Sequence, residues 1–366
     1  QEVRACALGQ AAAAILGVFL ACGVLVADAK EPAADMAQTE ATDAKEGDGA
    51  EGTAPEDAHQ VAGLPFVVES EMPYRARMRA TGIFINAFHL TRPTEEVVAA
   101  IKARDKPSNV TVIVCRGPQE RAIANFEDVA DQFIFEALFL RPDWEAAPED
   151  TLLWPGVDHP MINYVRKIRT RTRRTRAVVA VPMTSREVWG VPRERPELFD
   201  ELRWMTMAVI GADYEGILWG HVRREEAWRQ MLQELTSQIK VHASDLAAAQ
   251  PVDWVTAPAG QPVSALASQK KLFVTLLHPD FMKVSDDKKR IVGVLQPSRQ
   301  RGRLTLRLPD GVRATSAAAL DGSPLELTAG EMGLTCPYAF SAGGEMIVVS
   351  IARPETGSAG SAGGDP

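Results

Sequence analysis

The run Glu201-Leu202-Arg203-Trp204-Met205-Thr206-Met207-Ala208-Val209-Ile210-Gly211-Ala212, followed by Glu215-Gly216-Ile217-Leu218-Trp219-Gly220, decides the architecture. Its first part ends a helix predicted over Arg195–Ile210, with Gly211 placed to stop it in a left-handed cap. Its second part is a short, continuously apolar stretch, which suits a strand buried on both faces of a parallel sheet. The same step recurs upstream. Strands are predicted at Pro65–Glu69, Thr81–Phe88, Asn109–Cys115 and Ala177–Met183, with a shorter one at Thr151–Trp154. Between them fall helices over Thr94–Ala103, Asn125–Leu140 (Val129, Phe133 and Ala137 spaced by four) and Asp158–Arg169, and a last one follows over Arg223–Ile239. Strands alternating with helices imply an α/β domain with a parallel sheet, either open and doubly wound or closed into a (β/α) barrel. No G-x-G-x-x-G or G-x-x-x-x-G-K-[ST] follows any of these strands, which removes the usual nucleotide fingerprints.

Beyond residue 250 the period changes to two. Leu272–Leu277, Ile291–Leu295, Leu304–Leu308 and Met346–Ile351 read as strands, with Asp310-Gly311 and Asp321-Gly322 as turns between such runs. A small antiparallel β-sandwich is the expected result.

The chain has 366 residues, 46% of them hydrophobic and 24% charged, which fits a folded globular protein and excludes wholesale disorder or a polytopic membrane protein. Arg4, the apolar run from Ala11 to Leu20 and Ala27-Asp28-Ala29 are the parts of a secretory signal. A retained anchor helix is the alternative, and Phe19-Leu20-Ala21-Cys22 is a poorer match to a lipobox. Residues 31–60 carry nine acids and one base, so this segment alone accounts for the net charge of −8 and the remainder sums to zero. With no aromatic residue to bury, it reads as a disordered linker. The expected organisation is a signal or anchor over 1–29, an acidic linker over 30–60, a barrel-like domain over 61–245, a β-sandwich over 250–354 and a disordered tail over 355–366. Cys115 and Cys336 are the two cysteines outside the leader, and they read as unpaired buried thiols. No C-x-x-C or His-rich spacing points to zinc, and no cofactor or metal is expected.

The run from Glu201 to Gly220 resembles the last helix–strand step of glycoside-hydrolase-type TIM barrels, in which an E-x-R-x-M-like helix leads to G-A-x-G and a final strand ending in Trp. The resemblance implies a TIM-barrel-like domain followed by a β-sandwich, with Trp219 flooring a sugar site. Five or six strands are counted where that family has eight, so the barrel is truncated, incomplete or holds strands not yet recognised.

Sites in parallel α/β domains form at the carboxyl ends of strands. Glycoside hydrolysis needs two carboxyl groups about 5–9.5 Å apart, one to protonate the leaving oxygen and one to act as nucleophile or base. Glu187 is the first candidate and Glu69 or Glu71 the second. Trp219 and Trp189 would stack on sugar faces, and Asn86, His89, Arg116 and His221 would hold hydroxyls. Each has a plainer role open to it: Glu187 paired with Arg186, Glu69 and Glu71 flanking a loop, Trp219 in core packing, the histidines structural. Arg166 to Arg176 carries seven bases and no acid. At a helix C-terminus, and without interleaved aromatics, it reads as a solvated face rather than a nucleic-acid patch. The functional expectation is an exported carbohydrate-active protein, a glycoside hydrolase acting on a carbohydrate partner. Its alternatives are a non-catalytic carbohydrate-binding relative and a structural cell-envelope protein. No nucleic-acid partner is expected, and membrane contact only through the N-terminal segment.

Overall fold

The computed structural model describes residues 66–70, 74–76, 82–87, 90, 92–103, 110–115, 120–135, 154, 160–172, 176–182, 187–188, 191–192, 199–220, 226–280, 299–341 and 343–353. All belong to one compact unit, Pro55–Pro366. The expected leader, acidic linker, C-terminal tail and strand Ile291–Leu295 lie outside the described residues.

Six parallel strands form one sheet: β1 (Val67–Ser70), β2 (Gly82–Asn86), β3 (Val110–Cys115), β4 (Gln132–Phe135), β5 (Arg176–Pro182) and, after the two-residue strands β6 (Glu187–Val188) and β7 (Val191–Pro192), β8 (Gly216–Gly220). Their spatial order is β1-β8-β5-β4-β3-β2. From β2 to β8 every crossover therefore steps to the next strand in one direction. Because such crossovers are right-handed, one direction of travel puts all the helices on one face.

The core divides accordingly. Ile113, Cys115, Phe133, Phe135, Val179, Ile217 and Trp219 share a cluster with apolar residues of α1 (Thr94–Lys102), α2 (Glu120–Phe126), α3 (Pro160–Arg171), α4 (Phe199–Gly211) and α5 (Glu226–Lys240). The alternate residues Val112, Val114, Ile134, Val178 and Leu218 form a separate cluster with Tyr74. Tyr74 belongs to the helical residues 74–76, so among the described residues one short helical turn covers this second face, where a doubly wound sheet carries full helices. The return of β1 to the side of β8 is the order of a barrel, although among the described residues no ladder joins β1 to β2.

Two predicted elements fail here. The helix expected from Asn125 to Leu140 is replaced over its described part: α2 (Glu120–Phe126) ends where that helix would begin, and Gln132–Phe135 is strand β4, residues 136–140 lying outside the described residues. Gln132 and Ile134 face one side while Phe133 and Phe135 face the other, so a two-residue alternation of bulky side chains overrides the four-residue spacing. In the stretch read as a strand at Thr151–Trp154, the described residue, Trp154, belongs to no strand and has φ of 53°. A left-handed backbone at a bulky residue is uncommon and is held here by packing and hydrogen bonding. The indole is fully buried against Gly211, and the Trp154 carbonyl accepts a hydrogen bond from Arg166 Nη1 at 2.8 Å. Gly211 therefore remains helical; the residue at positive φ is Asp213, at 61°. A Cβ at Gly211 would overlap Cζ2 of Trp154. Gly211→Val should lower stability by about 1–3 kcal/mol through overpacking. A urea midpoint unchanged from wild type would show that the indole moves aside freely.

The C-terminal part is antiparallel. One sheet has the order β15-β14-β18-β12-β11-β9, with β9 (Gln250–Pro251), β11 (Val263–Ala267), β12 (Lys271–Leu277), β14 (Arg313–Ala319), β15 (Pro324–Leu325) and β18 (Gly344–Ala352). The other has the order β10-β13-β17-β16, with β10 (Val255–Thr256), β13 (Gln300–Leu306), β16 (Thr328–Gly330) and β17 (Gly333–Phe340). Leu272, Val274 and Val349 of the first share one cluster with Leu304, Cys336 and Tyr338 of the second. Gly311 and Gly322 take φ of 81° and 86°, the conformation their Asp-Gly turns require. Cys115 and Cys336 are both buried, and burial pushes the Cys336 thiol up to about 11.

Helix α4 joins the two parts. Glu201, Leu202 and every residue from Trp204 to Gly211 are buried. One side of the helix meets β5 and β8, the other meets β11, β12 and β18. The polar ties across the second side are Ser264 Oγ to the Gly211 carbonyl (2.6 Å), Arg203 Nε to the Gly344 carbonyl (2.8 Å) and Trp204 Nε1 to the His278 carbonyl (3.3 Å). Arg203 also pairs with Glu345 at 3.0 Å. A helix apolar nearly all round is one that two layers cover, and this one is covered by a sheet on each side.

Candidate active site

At the carboxyl end of the parallel sheet, Glu69 is the third residue of β1 and is registered with Leu218. Registered residues of parallel neighbours share a face, and Leu218 belongs to the cluster turned away from the helices. Glu69 is therefore carried on the face turned away from α1 to α5, near the carboxyl end, and it is half-buried. Tyr74 occupies the same face, where its hydroxyl donates to Gln132 Oε1. Asn86 is the last residue of β2, registered with Val114. Glu187 opens the β6–β7 hairpin that follows the carboxyl end of β5. Glu71, His89, Arg116, Trp189 and His221 lie outside the described residues.

Trp219 is a correction. It alternates with Leu218 and so faces the helices along with Ile217, and it is 2% exposed within that cluster. Its role is core packing, not the floor of a sugar site. The sequence shows that β8 ends in Trp; it does not show which of two alternating faces the ring takes, because register decides that. Tyr74 and Gln132, which the sequence reading passed over, are a bonded polar pair on the same face. Gln132 would have stood out once its segment was read as a strand.

The opposite, amino end of the sheet is built for stability. Arg169, near the end of α3, is 5% exposed. Its Nε donates to the Asp213 carbonyl at 2.5 Å, and its Nη2 reaches Glu215 Oε1 at 2.7 Å and Asp213 Oδ2 at 3.3 Å. Glu215 Oε2 in turn accepts the Ala177 N–H at 2.6 Å, which fixes the start of β5. Burial works against the Arg169 charge, but Glu215 and Asp213 together raise its pKa. The guanidinium also lies over the Tyr214 ring, whose hydroxyl donates to the Val165 carbonyl at 2.9 Å. Arg166 and Lys167 are buried as well. The expected solvated basic face is thus corrected: three of its bases face inward, because α3 is covered around most of its circumference.

Among the described residues no cluster of three metal-ligating side chains occurs, and no helix is long and apolar enough to cross a membrane.

No protein-family model and no curated protein matches the chain. Solved structures similar to it include a GH30 endoxylanase of Clostridium papyrosolvens, at 9% identity and a TM-score of 0.40, covering 71% of this chain and 61% of that one. A cycloisomaltooligosaccharide glucanotransferase of Paenibacillus sp., complexed with cycloisomaltoheptaose, is 9% identical at a TM-score of 0.42, covering 69% and 57%. An alpha-amylase of Geobacillus thermoleovorans, complexed with acarbose, is 11% identical at a TM-score of 0.40, covering 70% and 57%. The chain thus spans about 60% of the length of these enzymes. At these scores the likeness carries no reaction, substrate or residue role over to this chain.

Proposed function

We propose that the chain is an exported carbohydrate-active protein of glycoside-hydrolase type, built as an incomplete (β/α) barrel followed by a β-sandwich. The observation that carries this reading is the strand order. Six parallel strands stepping in one direction, with β1 returned beside β8, aim all their carboxyl ends at one mouth. In that frame Glu69 and Glu187 are the acid pair, with Glu71 beside Glu69 as the alternate. One would protonate the glycosidic oxygen while the other attacks the anomeric carbon or activates water. Asn86, His89, Arg116, His221 and Trp189 are the proposed sugar contacts. A second reading, binding without turnover, is favoured by Tyr74 and Gln132, which fill part of the face that a substrate-lined barrel would keep open.

A panel of neutral and acidic glycans assayed for reducing-end release tests both. Glu187→Gln and Glu69→Gln should each lower turnover by about 10²–10⁴, the usual contribution of a positioned acid or base. Full activity in both variants would remove this pair from the mechanism. Glycan retention without turnover by the wild type would select the binding reading.

A further inference from the structure

We infer that the outward face of the β10-β13-β17-β16 sheet is a binding surface for an acidic polysaccharide, read by a row of arginines on β13. The sequence Ser298-Arg299-Gln300-Arg301-Gly302-Arg303-Leu304-Thr305-Leu306-Arg307-Leu308 holds four arginines and no acid. Within the strand the alternation is strict. Leu304 and Leu306 are buried in the cluster between the two antiparallel sheets, so Arg301, Arg303 and Thr305 lie on the opposite face. Arg301 and Arg303 are exposed, and exposed Arg299 and Arg307 extend the row by the same two-residue step. At ~3.4 Å per residue, Arg299, Arg301 and Arg303 recur about every 7 Å, and Arg307 follows about 14 Å further on, with Thr305 between.

Their surroundings are small and uncharged. Arg301 is registered with Ala339, Arg303 with Pro337 and Thr305 with both Thr335 and Thr256; Thr335 is registered in turn with Thr328. None of these positions is acidic, and among the described residues no ion pair involves Arg299, Arg301, Arg303 or Arg307. β17 pairs the whole of β13 on one side, and β10 pairs Thr305 and Leu306 on the other. A single-sign row of charges repels itself and is avoided on a protein surface unless it steers a partner. A local rule broken with no compensating partner in the fold marks a functional surface. Gly302 belongs to the same arrangement. A Cβ there would come within 2.6 Å of the Tyr338 hydroxyl, so the strand carries arginine on one face while packing closely on the other.

Planar, always-charged guanidinium forks match carboxylates and sulfates. Spaced along a flat strand, they fit a linear polymer with repeating anionic groups. The described face carries one partly exposed aromatic, Trp254 beside Arg307, which already packs against the core and Arg353; successive bases would need a series of such platforms, which disfavours single-stranded nucleic acid. Its apolar side chains, Ala339 and Pro337, are small, and the exposed Met332 at the β16–β17 turn is a single anchor, which is little to hold a bilayer. The remaining chemistry is a uronate-bearing or sulfated glycan. This inference rests on the carbohydrate reading above and specifies its polymer class.

Affinity electrophoresis of the full chain in gels containing polygalacturonate, neutral xylan or duplex DNA tests it. Wild type should be retarded most by polygalacturonate, with retardation falling steeply as salt rises. Arg301→Gln/Arg303→Gln should weaken that retention at least tenfold, and Arg301→Lys/Arg303→Lys should keep part of it. Equal retention of the Gln double variant, or tighter retention by DNA, overturns the arginine surface. So does a wild type that hydrolyses or binds neutral glycans but ignores polygalacturonate. A wild type that neither binds nor hydrolyses any glycan overturns the carbohydrate reading and this surface together.

Discussion

Arg169→Met is expected to remove about 3–5 kcal/mol of stability, because it leaves partly buried Asp213 and Glu215 facing an apolar side chain. The effect is large for a reason beyond the loss of one ion pair. Arg169 holds the Asp213 carbonyl as well as two carboxylates, and Glu215 passes the restraint to the Ala177 N–H at the start of β5. One side chain therefore sets the end of α3, the turn between α4 and β8, and the amino ends of two adjacent strands. Chemical denaturation measures the loss. Adding Asp213→Asn and Glu215→Gln to Arg169→Met should recover part of it, since the uncompensated charges are then gone. A triple variant no more stable than the single one would mean that the hydrogen bonds matter and the charges do not. A single variant within 1 kcal/mol of wild type would show that the cluster is dispensable.

The second large effect is expected at the junction. Trp204 is fully buried on α4, and its indole N–H donates to the His278 carbonyl. Trp204→Ala should destabilise by about 3–5 kcal/mol, the usual range for emptying an aromatic site. The site has little means of collapsing around the gap. A Cβ on Gly343 would overlap the Asp200 carbonyl and approach Trp204 Cβ at 2.8 Å, so the β17–β18 turn already sits against the helix. Wild type should unfold in one calorimetric transition that includes both sheet systems. The variant should separate into two, because it empties the centre of the coupling side of α4 and leaves only the ties through Arg203 and Ser264 and the thinner apolar contact. A single transition in Trp204→Ala at nearly the wild-type temperature would place the coupling elsewhere.

Much of this fold is legible in the sequence where local signals agree. The strands at 110–115, 176–182 and 216–220 are β-branched or continuously apolar and sit next to capped helices, and each is found within a residue or two of its expected place. Reading fails where two periods compete. Phe133 fits a four-residue helical spacing and a two-residue strand spacing equally well, and tertiary packing chose the strand. It fails again where a strand lacks β-forming residues, as in the alanine-rich β14, or carries a proline, as β17 does at Pro337. Of the candidate site, the strand-end position of Glu69 was legible; the orientation of Trp219 was not, because facing is a property of register across neighbours. The basic run misled for a related reason. Composition shows that Arg166, Lys167 and Arg169 are charged, but only the fold shows that Asp213 and Glu215 wait beside Arg169.

Helix α4 has a consequence for engineering and for ancestry. Its two coats come from parts of the chain that sequence composition would separate near residue 250. A fragment cut there would carry Met207 and its neighbours onto a wet surface and should be recovered only as aggregate. Shuffling the C-terminal sheets between relatives would need a matched α4 transplanted with them. The unit of inheritance here is the pair, and a mutation on this helix is tested against both halves at once.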